Sequence, residues 1–494
     1  MYGNLIRYLG NYLLKIKTIS QQKLDKSYLF YGVVWGIICG ICVAYLSRRL
    51  NLIVISSVTM FVFIVIMWRF KIQLFKILIF FGFGMMIGWL RGNLIFTNSQ
   101  IFEQYIGQTL NISGIVSEDV ITFESGTRSI TLTKLVINHH SVVGKLLIKT
   151  RQSALIERGD MLELTAKIEP GVGPYVATIR NIETMTVTNF GDPPTRLRDW
   201  LAGRLERFLP SQQFSLVSAI LLGKRQTINR ELSHDIRTVG LSHMVVASGL
   251  HLIAITELVR KLFHKFSRRV ELIGSLVVAI LFASVTGLTA SMFRALITLT
   301  FNLIAWYYGR KFSGGRLISL LVAISLLINP LYLAGDLSWS LSYAAFFGIL
   351  VVVPIVKDFF FGDQQLNQVT NLILSVLVVQ IVVSPILLNS FGNLSLIAIV
   401  ANLLIVPCLV PLMILASGLI ISSGFAIVAQ VFNYLLQLLD SYVLAIIKIL
   451  AAVPLASVEL QVSSTKILII TMAMLLIIWL MFICNQKTKI VNLK

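Results

Sequence analysis

Four of the six histidines, His234, His243, His251 and His264, fall within a 31-residue stretch whose centre reads Leu241-Ser242-His243-Met244-Val245-Val246-Ala247-Ser248-Gly249-Leu250-His251. A serine and a histidine three residues apart lie on neighbouring faces of a helix, and Gly249 between them lets another helix approach closely. One chemistry on offer is nucleophilic, with Ser248 attacking and His251 taking its proton. Poor geometry is expected for it, because an i,i+3 helical pair seldom gives the hydrogen bond together with an oxyanion hole, and no orienting carboxylate is evident. A metal site built from Asp235, His243 and His251 matches no ligand spacing. Two readings stay open on equal terms: the pair lines a hydrated passage, or it hydrogen-bonds between helices in a bundle core.

Arg294 stands in Gly287-Leu288-Thr289-Ala290-Ser291-Met292-Phe293-Arg294-Ala295, close to the end of an apolar run. A charge facing lipid at mid-depth costs about 3 kcal/mol or more, so the guanidinium either snorkels to headgroups or turns inward. Its small neighbours favour a tight bend that aims it inward, where it would meet phosphate. Asn402, Asp336, Gln380, Asp440 and Lys448 are further polar residues in or beside apolar runs, each read singly as a bundle contact. No G-x-x-x-x-G-K-[ST] loop is present for ATP, and no H-x-H-x-D-H cluster for paired metals. Cys39 and Cys42 form a C-x-x-C pair with no second pair to complete a zinc site. No cofactor and no resident metal are expected.

What must position these residues is a membrane bundle. Of 494 residues, 56% are hydrophobic and only 13% charged, which excludes an ordinary soluble enzyme. Apolar runs of spanning length fall at 28–46, 51–68, 74–95, 241–259, 272–289, 292–309, 317–335, 338–356, 368–389, 394–421, 427–452 and 466–484, about a dozen in all. The N-terminal basic stretch leads into a full-length span and shows no secretory cleavage pattern. Basic loops such as Arg69/Lys71/Lys76, Arg260-Lys261-Lys265-Arg268-Arg269 and Arg310-Lys311-Arg316 thread to one side, which puts both termini in the cytoplasm; Arg48-Arg49 is the misfit.

Between Phe96 and Trp200 there are ten basic and eleven acidic residues, so the formal +20 of the chain resides elsewhere. The bias of cytoplasmic loops accounts for most of it without a polyanion. Within 96–200 apolar and polar residues alternate in about five runs separated by turns such as Arg158-Gly159-Asp160. Closing five strands into an OB-like barrel removes their edges. With no net charge and few aromatics, such a barrel serves docking or structure at least as well as strand binding. The expected fold is thus a polytopic α-helical membrane protein carrying an inserted extracytoplasmic small β-barrel.

Several motifs, taken in order, carry a resemblance: Ala219-Ile220-Leu221-Leu222-Gly223-Lys224-Arg225, Gly240-Leu241-Ser242-His243 and Ala247-Ser248-Gly249-Leu250-His251, followed by Gly287-Leu288 through Phe293-Arg294-Ala295 and Gly309-Arg310. Asn329-Pro330-Leu331, Leu337-Ser338-Trp339-Ser340-Leu341-Ser342-Tyr343 and Ala401-Asn402-Leu403-Leu404-Ile405-Val406-Pro407 complete the set. Together they resemble the signature of the ComEC family, inner-membrane DNA channels of natural competence. The family's usual Ala-Val-Ser-Gly-Leu-His departs here just before Ser248.

The resemblance implies passage of one DNA strand through the bacterial cytoplasmic membrane, with His243, Ser248, Gly249, His251, Arg294 and Asn402 as channel-lining or motif residues. It divides the chain into a helical block at 1–95, the OB-like domain at 96–200, the channel domain at 201–486 and a basic tail at 487–494. Partners would be single-stranded DNA, the lipid bilayer, a cytoplasmic ATP-driven translocase, an extracytoplasmic DNA receptor, a separate nuclease and a second copy of the chain. The nuclease is separate because the chain stops soon after Cys484, short of the metallo-β-lactamase-like domain that many members carry. Two readings of other classes remain: an intramembrane Ser/His hydrolase, and a secondary transporter of a small anionic solute.

Overall fold

The computed structural model describes residues 26–50 and 72–491, apart from short gaps at 123–125, 138–139, 143, 152–155, 190, 225–226, 246, 311–312, 363, 455 and 461. The span expected at 51–68, the basic N-terminal stretch and the last three residues lie outside the described residues. The chain divides into two units, one comprising Met1–Gln104 with Ser319–Gly335 and the other the remainder.

In the first unit α1 (Lys26–Leu50) and α2 (Ile72–Gln100) pack along their length. Gly32, Gly36 and Gly40 repeat every four residues on α1, as do Gly84, Gly88 and Gly92 on α2. This small-xxx-small pattern is what close packing needs where lipid tails supply no hydrophobic drive between helices. A Cβ at Gly36 would collide with the Phe81 carbonyl, one at Gly40 with the Met85 carbonyl, and one at Gly84 with the Val33 carbonyl. Arg91 on α2 donates through Nε to the Leu327 carbonyl at 2.8 Å and through Nη2 to the Ile328 carbonyl at 3.2 Å.

The second unit begins with a barrel of β1 (Thr109–Val116), β2 (Ile121–Thr122), β3 (Arg128–Ile137), β4 (His140–Val142), β5 (Leu146–Thr150), β6 (Met161–Pro170) and β7 (Ala177–Thr188). Five of these close a ring in the order β1-β3-β5-β7-β6-β1, antiparallel except for the parallel β5–β7 pair. Ile112, Ile130, Leu132, Leu146, Ile148, Leu162, Leu164 and Ile179 are at most 1% exposed and fill it, as the alternating pattern requires. The expected five runs are these five strands; β2 and β4 are short additions at the margin of β3.

Two helices follow the barrel, α3 (Pro193–Glu206) and α4 (Ser211–Leu222). Next come α5 (Arg230–Thr238), the single turn α6 (Ser242–Val245), α7 (Gly249–Phe263), α8 (Arg268–Thr286), α9 (Ala290–Tyr307), α10 (Gly314–Ile328), α11 (Leu337–Phe347) and α12 (Val353–Phe361). The remainder is α13 (Gln368–Phe391), β8 (Asn393–Ser395), α14 (Ala398–Ser422), α15 (Ala426–Ala451), β9 (Ser457–Glu459) and α16 (Ser464–Val491). A π-turn at Gly348–Val352 joins α11 to α12, and Pro354, which has no N–H to donate, stands just beyond it.

Eight helical stretches among the described residues are long and apolar enough to cross a membrane: α1, α2, α8, α11–α12, α13, α14, α15 and α16. Four of the dozen expected runs are not among them: the one at 51–68 lies outside the described residues, and the other three have local causes. The run at 241–259 is broken at Ser248, whose extended backbone (φ −128°, ψ 172°) caps α7. Arg294 and Asn302 lower the apolarity of α9. The run at 317–335 stops as a helix at Ile328, because Asn329 turns back to hold the Leu331 N–H and Pro330 cannot continue the ladder. α2 carries on to Gln100, and α16 stays helical to Val491.

Candidate functional site

The site grows from two glycines and a helix cap. Gly240 follows α5 in the left-handed region (φ +75°), and a Cβ there would lie 2.7 Å from the Ala398 side chain. That approach lays the α5–α6 turn on the first turn of α14. It brings His243 into hydrogen-bonding contact with the Asn402 side chain and the Gly240 backbone. Asn402 commits its Nδ2 to the Ala398 carbonyl at 2.7 Å, which leaves its Oδ1 to accept from His243. His243 keeps exposed surface although protein surrounds it closely, the condition of a side chain on a concave wall.

Three residues beyond the next break, His251 is 1% exposed. Its Nδ1 accepts from the Ser248 N–H at 3.1 Å and lies 2.9 Å from Ser248 Oγ. The Ser–His hydrogen bond is therefore made, although not by a helical i,i+3 pair. Ser248 is not helical but caps α7, so its side chain swings onto the ring instead of pointing off a neighbouring face. A backbone N–H can only donate, so Nδ1 carries a lone pair and the neutral ring holds its proton on Nε2. That Nε2 is buried and meets no partner among the described residues. His243 and His251 stand close enough to interact electrostatically.

Gly249 opens α7 and removes the side chain that would separate it from α9. A Cβ there would sit 3.2 Å from Ala295 Cβ and 4.0 Å from Arg294 Nη2. Thr289 starts α9 by accepting the Met292 N–H at 3.3 Å, which fixes Arg294 on the second turn. The guanidinium turns towards α11: Nε donates to Ser342 Oγ at 2.6 Å, while its carbon lies 4.9 Å from the Phe346 ring centre and 5.8 Å from that of Tyr343. Ser342 Oγ is in turn 3.3 Å from Ser291 Oγ. Arg294 forms no ion pair with a carboxylate among the described residues.

The structure thus gathers His243, Ser248, Gly249, His251, Arg294 and Asn402 along the contacts of α7 with α9 and α14. Asp235 does not join them, and no group of three His, Cys, Asp or Glu side chains suited to a metal occurs among the described residues. Ser342 and Tyr343 belong to the Leu337–Tyr343 motif but are not among the expected site residues, and Phe346 lies beyond that motif. The four-residue spacing of Ser338 and Ser342, which places both on one helical face, was the available signal.

A second polar knot fixes the barrel to the bundle. Arg158, 5% exposed in the β5–β6 loop, donates to the Ser284 carbonyl at 2.8 Å and the Val285 carbonyl at 3.3 Å, satisfying the C-terminal end of α8. Gly287 makes room for it, since a Cβ there would lie 2.8 Å from Arg158 Nη1. Alongside, Arg198 pairs with Asp119 at 2.7 Å and Lys224 with Asp199 at 2.9 Å. Burial pushes the Arg158 guanidinium below its usual range, with Asp119 and Asp192 acting against that. The Lys145–Glu118 pair (2.6 Å) and Tyr175 of the barrel also lie within electrostatic range of Asp336, the cap of α11.

Fold and site together define a polytopic helical membrane protein in which a small barrel is fastened to a bundle with a polar cluster at a broken helix. The family model described as "Competence protein" matches residues 220–487, more than half of the chain, and the chain belongs to the ComEC-type competence family. It is 25% identical over 289 residues to "ComE operon protein 3" of Bacillus subtilis (strain 168), covering 53% of this chain and 36% of that one. It is also 25% identical over 257 residues to "Uncharacterized protein YcaI" of Escherichia coli (strain K12), covering 48% of this chain and 33% of that one. The matched stretch spans about a third of the length of each relative. No solved structure matches.

Proposed function

We propose that this protein carries single-stranded DNA through the bacterial cytoplasmic membrane during transformation, as a passive conduit. One observation carries the reading: six motif residues scattered over 160 positions, His243 to Asn402, converge on one polar cluster that holds the Arg294 cation, which forms no ion pair among the described residues. Phosphates crossing hydrocarbon need such a lining. In this reading the barrel is OB-like, which the ring order with its parallel closing pair supports, and it stands outside the cell with both termini inside. A cytoplasmic translocase, an outer DNA receptor and a separate nuclease complete the pathway. The test is a deletion strain complemented with this chain and given strand-labelled duplex. One strand should enter and give transformants; uptake that survives the deletion overturns the proposal.

The Ser248–His251 contact also favours a hydrolase reading, in which His251 is the base. Nδ1 already accepts the Ser248 backbone N–H, however, and among the described residues no carboxylate orients the ring through Nε2. Ser248→Ala decides between the two: a hydrolase loses all function, whereas a conduit keeps most of it, losing only the hydroxyl that shares the cap.

A further inference from the structure

Asp440 is the only carboxyl in α15 and is 0% exposed, and neither of its oxygens has a partner among the described residues. The elements packed on α15 bring nothing to neutralise it. α14 carries a single titratable side chain, Cys408, and α4 carries none. α5 carries Arg230, Glu231, His234, Asp235 and Arg237 but buries Leu232 and Ile236. On α15 itself the other titratable groups are Tyr434, Tyr442 and Lys448, and none of all these pairs with Asp440. An ionised carboxylate shut away from water without a partner costs several kcal/mol, while the acid form offers an O–H that needs only an acceptor.

A polar seam leads to the site. Gln213 on α4 donates to Ser441 Oγ at 2.8 Å and to the Gln437 carbonyl at 3.4 Å, so it straddles the turn of α15 that holds Asp440. Its own Oε1 is buried and, like the two carboxyl oxygens, lacks a donor. Gln437 continues the seam to the Phe208 carbonyl at 3.2 Å and Asn433 Oδ1 at 3.1 Å, and Ser441 reaches the exposed surface.

We propose that Asp440 is a proton-binding site of the bundle: it holds a proton while α4, α14 and α15 are packed together and yields it along the Gln213–Ser441 seam when that packing loosens. Proton release and opening of this three-helix contact are then one event. DNA conduction is not assumed.

The test uses the full chain in membrane vesicles and the apolar reagent dicyclohexylcarbodiimide. A carboxylic acid adds across its C=N bond, the proton going to nitrogen and the carboxyl oxygen to carbon; acyl migration to nitrogen then leaves a stable N-acylurea with no leaving group. At about pH 8, where ordinary carboxyls are ionised, the peptide containing Asp440 should still take up the reagent. The adduct should vanish in Asp440→Asn, which elutes as wild type. An unlabelled wild-type peptide, or equal reaction with a water-soluble carbodiimide and an amine, overturns the proposal. As a second measurement, the thermal midpoint of wild type should fall as pH rises while that of Asp440→Asn falls less; parallel curves overturn the coupling. Neither readout involves DNA, so failure here leaves the conduit reading standing.

Discussion

In the parallel α1–α2 pair glycines meet in the middle of helices, so that backbone rests on backbone, whereas in the bundle Gly223, Gly240 and Gly287 stand where helices end, all with positive φ. The α1–α2 pair buries no polar side chain among its described residues; the bundle and the barrel bury Arg158, Arg198, His251, Asn402 and Asp440. The contrast separates two uses of the same residue. In the first unit the missing Cβ is the packing itself, and no chemistry accompanies it. In the second it clears a place for a polar atom: Gly287 for the Arg158 guanidinium, Gly240 for the turn bearing His243, and Gly249 for the approach of Arg294.

The sharpest way to break this comparison is Gly36→Leu. A side chain there must push α1 off α2, because it meets the Phe81 carbonyl and not a movable side-chain tip. Overpacking costs about 1–3 kcal/mol and occasionally more, and the upper end is expected here. Gly82→Leu, on the same helix pair with nothing within 4 Å of its Cβ, should be neutral. Fluorescence-detected size exclusion in detergent reads both, and equal losses would refute backbone-on-backbone packing.

Next in size is Arg158→Ala. It leaves two carbonyls of α8 and Asp192 without their cation, and hydrogen bonds from charged groups are worth about 1.5–3 kcal/mol each. The barrel should detach before the bundle unfolds, seen as protease cleavage near residue 192 with the helices intact. Arg294→Ala tests the other end of the same unit. Losing the Ser342 bond and the charge should lower DNA uptake about tenfold, the equivalent of roughly 1.4 kcal/mol, with Arg294→Lys partly preserving it. Wild-type uptake by the alanine variant would mean that the guanidinium faces headgroups.

How much of this was legible in the sequence depends on the range of the signal. Strand alternation and apolar length are local, so the barrel and most spans could be read directly. The helix break at Ser248 was masked by an unbroken apolar run, because a cap looks like any serine until the chain on either side is known to bend. The six site residues were picked one by one, yet their meeting depends on Gly240 lying against Ala398, 158 residues away. The glycines of the α1–α2 pair stand in the sequence as a four-residue repeat, a packing signal that no chemistry-bearing residue accompanies. Arg158 could be placed only in a turn. Its partners are backbone carbonyls, which carry no sequence signature at all.

The smallest effect is the most discriminating for the contact between barrel and bundle. Asp336 caps α11 by accepting the Trp339 N–H at 2.8 Å, yet burial beside Glu118 pushes its carboxyl above the usual range, against the pull of that N–H and of Lys145. A carboxyl raised in the folded state binds its proton more tightly there than in the unfolded chain. Stability is therefore greatest at acid pH and is lost as pH rises from the ordinary carboxylate value through the raised one. Asparagine caps as well as aspartate and cannot ionise, so Asp336→Asn should remove that slope while changing neutral-pH stability by less than about 1 kcal/mol. Asp336→Ala should remove the slope and also cost about 1 kcal/mol of cap. Thermal midpoints of the three proteins between about pH 4 and 8 separate the contributions. If the asparagine variant keeps the wild-type slope, Asp336 is solvated, and the barrel does not close over the start of α11.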